Sequence, residues 1–284
     1  MIRARPLLGT RVDIRVEHPG DDAANAAIDR GFDAIATVHR LMSFHEVGSD
    51  VSRLNREAAQ AGVHVDPRTF EVLRRACAFA ERSDGLFDIT TAGRLVEWGF
   101  LPRPEGAPTP SAHASWRDVI LENECCVRFR MPLWIDLGGI AKGYAVDRAL
   151  HAMNLAPSIQ TLVNAGGDMR VAGPRPELIN LRSAIAMESV PAVEIEDGAL
   201  ASSSGREHTK VIGCTGVGPH LNGRSGESVG VDSFVSVTAE DCLTADALTK
   251  IVLAAGQGAE AILGHFGAIA YLYDSKTGWT TLGA

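Results

Sequence analysis

The sequence predicts an α+β protein with a mixed sheet, and three observations support this prediction. Apolar residues recur at helical spacing in some segments, and short apolar runs of strand length separate these segments. The two patterns do not alternate in a regular strand–helix–strand rhythm, and no repeat of solenoid length occurs. The chain has 284 residues, of which 45% are hydrophobic, so it can bury a large core. We therefore expect one compact unit over residues 1–284, or two closely packed lobes joined near residues 101–115.

The N-terminal region predicts a strand followed by an amphipathic helix. Charged and apolar side chains alternate from Arg11 to Val16, which is typical of a half-buried strand. Asp21 and its neighbour then precede a helix that should end near Met42. The apolar positions of this helix lie three and four residues apart: Ile28, Phe32, Ile35, Val38 and Leu41.

A second helix is predicted where Asp66 can act as the N-cap and Pro67 occupies the first helical position. It should end near Gly85. Residues 101–115 contain four prolines and predict a surface connection. Beyond them, the apolar residues 133–135 predict a strand. Further strands are predicted at residues 161–163, 234–237 and 268–273, and further helices at residues 141–153 and 245–255.

A glycine-rich run, DLGGIAKGY, begins at Asp136 and leads into the predicted helix over residues 141–153. Lys142 falls in the first helical turn, just after Gly139. Free backbone N–H groups, the positive end of the helix dipole and a lysine would then meet in one place, as they do where phosphates bind. The alternative that the glycines only allow tight packing stays open. The run is neither a Walker loop nor a dinucleotide-binding fingerprint.

Three further polar corners have both a functional and an ordinary interpretation. The first reads as a hairpin turn with positive φ, the second as a loop and the third as an Asn-Gly turn. Among nine histidines, His220 is the strongest candidate because its surroundings are rich in glycine. The corners are Asn164–Asp168, Ser202–Gly205 and His220–Gly226.

The helix near residue 245 carries oxygen ligands on one face. Thr244 is its expected N-cap, and Asp246 and Thr249 lie three residues apart. Their carboxylate and hydroxyl oxygens could converge on a hard cation such as Mg²⁺. The alternative that an acid in the first turn only complements the helix dipole stays open.

Composition disfavours several classes of protein. The net charge of −8 would repel nucleic acid, so we expect no nucleic-acid partner. No apolar run reaches the length of a membrane span and the first residues lack a signal-peptide core, so we expect a cytoplasmic protein. The five cysteines include no pair at metal-ligand spacing, which favours incidental or buried thiols.

The order of these motifs along the chain resembles that of the ApbE family, the FAD:protein FMN transferases formerly called thiamine-biosynthesis lipoproteins. The resemblance implies an α+β fold related to the T-fold. It also implies protein flavinylation, in which a threonine or serine hydroxyl of an acceptor flavoprotein attacks the FMN-side phosphorus of FAD and AMP leaves. The motifs, in order, are Met42-Ser43, Ser49–Asn55, Gly85–Thr90, Trp98–Phe100, Asp136–Asp147, Asn164–Asp168, the serine-rich corner, the His220 turn and Ala245–Leu248.

The resemblance also assigns roles to individual residues. His220 would act as the base on the attacking hydroxyl. The residues expected to line the FAD site are Met42, Leu86, Phe87, Asp88, Asp136, Lys142 and Leu221. The groups expected to face Mg²⁺ or another divalent cation are the backbone carbonyl of Gly139 and the side chains of Asp246 and Thr249.

Two positions depart from the family pattern. Lys250 stands where relatives usually carry a threonine, four residues after the metal-binding aspartate. The turn after His220 carries Asn222 where relatives have an aspartate. Two other activities therefore remain open beside transfer. One is hydrolysis of FAD to FMN and AMP at the same site, and the other is flavin binding without catalysis, with a degraded metal site.

Overall fold

An eight-stranded sheet organises the fold of this protein, whose computed structural model describes residues 1–181, 191–205 and 208–283. The order of strands in this sheet is β1-β2-β6-β7-β10-β13-β14-β15, so each strand lies beside the next sheet strand in the chain. The strands are β1 Ile2–Leu7, β2 Thr10–Val16, β6 Thr161–Ala165, β7 Asp168–Ala172, β10 Ala199–Ser204, β13 Ser233–Ala239, β14 Ile269–Asp274 and β15 Gly278–Leu282.

Seven helices and seven shorter strands complete the described part of the chain. The helices are α1 Asp21–Met42, α2 Asp50–Glu57, α3 Pro67–Arg82, α4 Ala92–Glu97, α5 Ala141–Met153, α6 Cys242–Ala255 and α7 Glu260–His265. The shorter strands are β3 Val63–His64, β4 Val119–Leu121, β5 Cys126–Phe129, β8 Glu177–Asn180, β9 Ala192–Ile195, β11 Lys210–Ile212 and β12 Thr215–Val217.

The α+β class is confirmed, whereas the expectation of a mixed sheet is wrong. Every strand pair in the described residues is antiparallel. The physical reason is the path of the long connections. The segment from β2 to β6 returns the chain to the end of the sheet at which β2 finished, and the segment from β13 to β14 does the same for β13. The next strand therefore runs in the opposite direction.

Alternation along the strands buries both faces of the sheet. Ala199 and Ala201 of β10 belong to the larger core with helices α1, α5 and α6, whereas Leu200 between them belongs to a second cluster. The second cluster includes residues of the β8–β9 hairpin, such as Val193 and Ile195. The larger core joins residues from both sides of the segment 101–115.

Three predicted helices are confirmed because their signals are local. Helix α1 spans Asp21–Met42, and α5 spans Ala141–Met153. Helix α3 begins at Pro67, and the side chain of Asp66 caps it by accepting the N–H of Arg68 at 2.9 Å. Within the described ranges, no helix has both the length and the apolar content that a membrane crossing needs.

Two local predictions are wrong. Helix α6 begins at Cys242, and its N-cap is Asp241, which accepts the N–H of Thr244 itself. Residues 133–135 form no strand, because a side chain takes the place of a partner strand. The amide of Asn55 donates to the carbonyl of Ile135 at 3.0 Å and accepts its N–H at 2.8 Å.

The Asn55 contact predicts a large stability effect for one polar side chain. Replacing Asn55→Ala leaves two buried backbone groups of Ile135 without partners, and each such group costs about 1–3 kcal/mol. We expect the free energy of unfolding in urea to fall by roughly 2–4 kcal/mol. Asn123→Ala, at an exposed asparagine, should change it by less than about 0.5 kcal/mol. Equal stability of the two variants would contradict this role of Asn55.

Candidate functional site

A cavity of about 920 Å³ opens beside the central strands of the main sheet. Its volume lies near the upper end of the usual range for small-molecule sites, which is about 300–1,000 Å³. Its walls come from residues 86–101, 136–142, 166–169, 179–181, 200–204, 208–210 and 219–221, together with Phe234 and Lys250.

Most of the residues assigned by resemblance lie at this cavity, and three do not. Those that line it are Leu86, Phe87, Asp88, Asp136, Gly139, Lys142, His220 and Leu221. Met42 is instead a core residue at the end of α1, with 3% of its surface exposed. Asp246 and Thr249 are fully buried in α6. Of these residues and Lys250, only Lys250 reaches the cavity wall.

Two ion pairs lie at the meeting point of helices α5 and α6 with the sheet. Lys142 of α5 pairs with Asp168 at the start of β7, and Lys250 of α6 pairs with Asp246 one turn earlier. The lysine side chains are 31% and 12% exposed, whereas both aspartates are 0% exposed. The positive ends of both pairs therefore face the cavity, and the negative ends are enclosed by protein.

Hydrogen bonds compensate the buried carboxylates. Asp246 accepts the backbone N–H of Gly143 at 3.1 Å, and Asp168 accepts the N–H of Ser202 at 3.3 Å. Burial alone would raise the pKa of Asp246, but the ammonium groups of Lys250 and Lys142 hold it below its usual value. Burial would lower the pKa of Lys142, but Asp168 and Asp246 hold it above its usual value. Lys142 therefore carries its charge at neutral pH.

Helices α5 and α6 approach each other closely enough to exclude a side chain. A Cβ atom on Gly143 would lie 2.2 Å from the carbonyl oxygen of Cys242. In addition, Asp147 of α5 accepts the N–H groups of Cys242 at 2.9 Å and Leu243 at 2.8 Å. Burial raises the pKa of Asp147 to about 6. Asp147 is not among the predicted site residues, because its partners lie on another helix.

The glycine corner at Asn164–Asp168 is the hairpin turn that joins β6 and β7. Gly166 and Gly167 have φ values of 66° and 104°, as a two-residue hairpin turn requires. The ordinary interpretation as a hairpin turn is confirmed, and both glycines also line the cavity. The turn places Asp168 directly after the glycines, where it meets Lys142.

The serine-rich corner is part of strand β10 and not a loop. Residues 202–204 pair with β13 and line the cavity. The hydroxyl of Ser203 lies 2.8 Å from that of Thr249 and accepts the ammonium of Lys250 at 3.0 Å. Thr249 also donates to the backbone carbonyl of Asp246 at 2.7 Å. The hydroxyl of Thr249 is therefore engaged within the protein.

The His220 turn is hydrogen-bonded to residues 84–86. The N–H of Gly223 donates to the carbonyl of Leu86 at 3.0 Å, and Arg224 donates to the carbonyl of Asp84 at 2.6 Å. Burial and the charges of Lys250 and Lys142 lower the pKa of His220 to about 3. At neutral pH the ring of His220 is therefore uncharged, and one of its two nitrogens carries no proton.

Asp88 lines the cavity, but its oxygens serve the local fold. One oxygen accepts the N–H of Thr90 at 2.8 Å and its hydroxyl at 2.7 Å. The other accepts the N–H of Trp116 at 3.2 Å. Burial raises the pKa of Asp88, and these hydrogen bonds partly offset the rise because they stabilise the charged carboxylate. Asp88 thus shapes the cavity wall at residues 86–91.

The residues present suit FAD better than they suit a divalent cation. The apolar side chains of Leu86, Phe87 and Leu221 can contact a ring system, and two ammonium groups can meet phosphates. In contrast, Asp246 and Thr249 are engaged by other groups. A dication within about 4 Å of an ammonium is repelled by roughly 8 kcal/mol at an effective dielectric constant of about 20. No group of three or more potential metal-ligating His, Cys, Asp or Glu residues occurs in the described residues.

The fold and the cavity together define an α+β protein with a large, charged small-molecule pocket. The model of the ApbE family matches residues 8–272. The chain therefore belongs to the ApbE family, and the resemblance of its motifs to that family is confirmed.

The relatives of this chain include proteins named as transferases. An FAD:protein FMN transferase of Vibrio cholerae is 26% identical over 281 residues, which cover 89% of this chain and 80% of the relative. One of Chlamydia trachomatis is 28% identical over 255 residues, which cover 84% and 78%. The crystal structure of the ApbE protein of Thermotoga maritima matches with a TM-score of 0.87 at 28% identity, covering 99% of this chain and 96% of that one.

The contact between α5 and α6 predicts that Gly143→Ala is strongly destabilising. The new methyl group would overlap the carbonyl of Cys242, and overpacking of this kind costs about 1–3 kcal/mol or more. We expect a lower free energy of unfolding in urea and weaker binding of FAD. Gly264→Ala in α7 is the matched control, because a methyl group there has open space. It should leave stability unchanged or raise it by up to about 1 kcal/mol. If the Gly143 variant were as stable as this control, the close approach would be refuted.

The surroundings of His220 predict an unusual titration. Because its pKa lies near 3 and not near 6.5, its ring should not take up a proton between pH 8 and pH 5. NMR spectra of the imidazole protons can test this, with His220→Asn used to assign the resonance. Lys250→Met should raise the pKa, because one of the nearby positive charges is removed. A midpoint close to pH 6.5 in the unmodified protein would contradict the expectation.

Proposed function

We propose that this protein transfers FMN from FAD to a threonine or serine hydroxyl of an acceptor flavoprotein and releases AMP. Membership of the ApbE family supports the reaction class, because the relatives named above are FAD:protein FMN transferases. One observation carries the proposal for this chain. A single cavity combines two lysine ammonium groups with a histidine that is unprotonated at neutral pH.

In the proposed complex, the charged wall of the cavity binds the pyrophosphate of FAD. Lys142 and Lys250 would donate to its oxygens, because both ammonium groups line the cavity and their partner carboxylates are enclosed. Leu86, Phe87 and Leu221 would contact the flavin or adenine rings. Phosphoryl transfer depends mainly on alignment and charge neutralisation, which such groups supply.

The transfer step needs one proton acceptor. The oxygen of the acceptor hydroxyl forms a bond to the FMN-side phosphorus, and the bond from that phosphorus to the bridging oxygen breaks. AMP leaves with the bridging oxygen and its electron pair, and FMN remains joined through a phosphoester. We assign the hydroxyl proton to the free ring nitrogen of His220, which later returns it to solvent or to AMP.

Two of the assignments made by resemblance receive less support. Met42 belongs to the core, so we propose for it an indirect role in supporting the cavity wall. The divalent cation at Gly139, Asp246 and Thr249 stays a prediction. We derive no step from it, because the side chains of Asp246 and Thr249 are engaged by Lys250, Gly143 and Ser203.

The transferase proposal predicts a covalent product. Incubation with FAD and an acceptor protein bearing a suitable threonine motif, with and without divalent cations, should yield acceptor carrying FMN and an equal amount of AMP. Mass spectrometry measures the first product and chromatography the second. His220→Asn should slow the transfer by about 10²–10⁴-fold, because general-base catalysis contributes about that much.

The matched control is His113→Asn at an exposed histidine, which should retain the full rate. Release of AMP without an acceptor would show hydrolysis of FAD in place of transfer. FAD that binds tightly and stays intact under every metal condition would show a flavin-binding protein without this activity. Either result would refute the proposed transfer.

A further inference from the structure

The strongest unexplained feature of the cavity is the ammonium group of Lys250. It is held at two points, by the carboxylate of Asp246 and by the hydroxyl of Ser203 at 3.0 Å. A lysine ammonium has three N–H donors, so one donor is left. Lys250 lines the cavity, and a Cβ atom on Gly139 would lie 3.4 Å from its Cε atom. The remaining donor is therefore available to a ligand beside Gly139 in the glycine-rich run.

From this arrangement we infer that Lys250 takes the place of a divalent cation at the pyrophosphate, so that the chain binds FAD without a metal ion. This inference rests on the proposed function, because it concerns the same ligand. It also assigns to Asp246 and Thr249 a role different from metal ligation. They position the ammonium, Asp246 directly and Thr249 through the hydroxyl of Ser203.

The charges around Asp246 support the view that Lys250 takes the place of a divalent cation. Lys142 lies close enough to Asp246 to influence its pKa, so two ammonium groups already act on this carboxylate. A dication added there would have to displace Lys250 from Asp246 or approach both lysines against repulsion. A single charged hydrogen-bond donor, in contrast, is already in position and needs no further ligand.

The first test measures FAD binding by calorimetry and does not depend on turnover. The unmodified protein in EDTA and in millimolar Mg²⁺ or Mn²⁺ should show dissociation constants within about twofold of each other. Tightening by more than about tenfold on addition of either metal ion would overturn the inference.

Variants test whether Lys250 is responsible. In EDTA, Lys250→Met should bind FAD about ten- to a hundredfold more weakly, because a hydrogen bond to a charged group is lost. Lys276→Met removes an exposed lysine in the β14–β15 hairpin and should bind normally. Lys250→Thr should bind weakly in EDTA and recover at least about tenfold with Mg²⁺, because it frees the Oδ1 oxygen of Asp246. Normal binding by Lys250→Met in EDTA would overturn the inference.

Loss of Lys250 leaves a buried carboxylate unpaired, so the single variant could fail to fold. The double variant Asp246→Asn/Lys250→Met removes both charges and keeps similar side-chain volumes. It should be folded by circular dichroism, bind FAD weakly and show no response to Mg²⁺. Binding of FAD by this variant as tight as that of the unmodified protein would refute the role of Lys250.

The outcomes for the two proposals can be separated. FAD binding that requires a metal ion, followed by transfer, would refute the role of Lys250 and leave the proposed function intact. Metal-free FAD binding that is lost in Lys250→Met, without any AMP or covalent product, would support Lys250 and refute the transfer. Absence of FAD binding under all conditions would refute both.

Discussion

The buried carboxylate of Asp246 is the constraint on which the rest of the site depends. An ionised carboxylate enclosed by protein is tolerated only where opposite charges and hydrogen bonds compensate it. Three groups do so here: the ammonium of Lys250, the charge of Lys142 nearby, and the N–H of Gly143. Because Gly143 has no side chain, helices α5 and α6 can approach each other closely. This close approach brings the N–H of Gly143 to Asp246. The packing of the two helices and the charge compensation of Asp246 therefore depend on the same contact at Gly143.

The antiparallel sheet brings distant parts of the chain to this cluster. The β6–β7 turn presents Asp168 to Lys142, and β10 presents Ser203 to Lys250. Because β7 and β10 are neighbours in the sheet, their polar residues lie beside the same helices. The order of strands follows the order of the chain, yet the charged groups and the serine hydroxyl that meet come from four separate elements, α5, α6, β7 and β10. Packing of the helices against the sheet thus brings the lysines and aspartates into an arrangement that none of these elements could set alone.

Sequence patterns predicted what depends on neighbouring residues. The spacing in α1, the Asp66 cap of α3 and the positive φ of the β6–β7 turn are local properties, and so they could be read correctly. The antiparallel direction of the strands depends on how long segments return to the sheet, and no local pattern contains that. The hydrogen bonds between Asn55 and the backbone of Ile135, 80 residues away, could not be predicted from a local pattern either. The ordered motifs identified the family, whereas the actual partners of Asp246 and Thr249 became visible only with the packing of α6 against α5 and β10.

The orientation of the charge cluster, more than its net charge, explains how it could act on a phosphate. Two lysines and two aspartates sum to zero, so the cluster has no net attraction for an anion at long range. At short range the ammonium groups face the cavity and the carboxylates do not, so a pyrophosphate there would meet the positive ends first. The same positive ends, together with burial, lower the pKa of His220 and keep its ring unprotonated at neutral pH. A divalent cation at this place would have both effects. Two lysines held by buried carboxylates can have them too, because both effects depend on positive charge at the cavity wall and not on coordination chemistry.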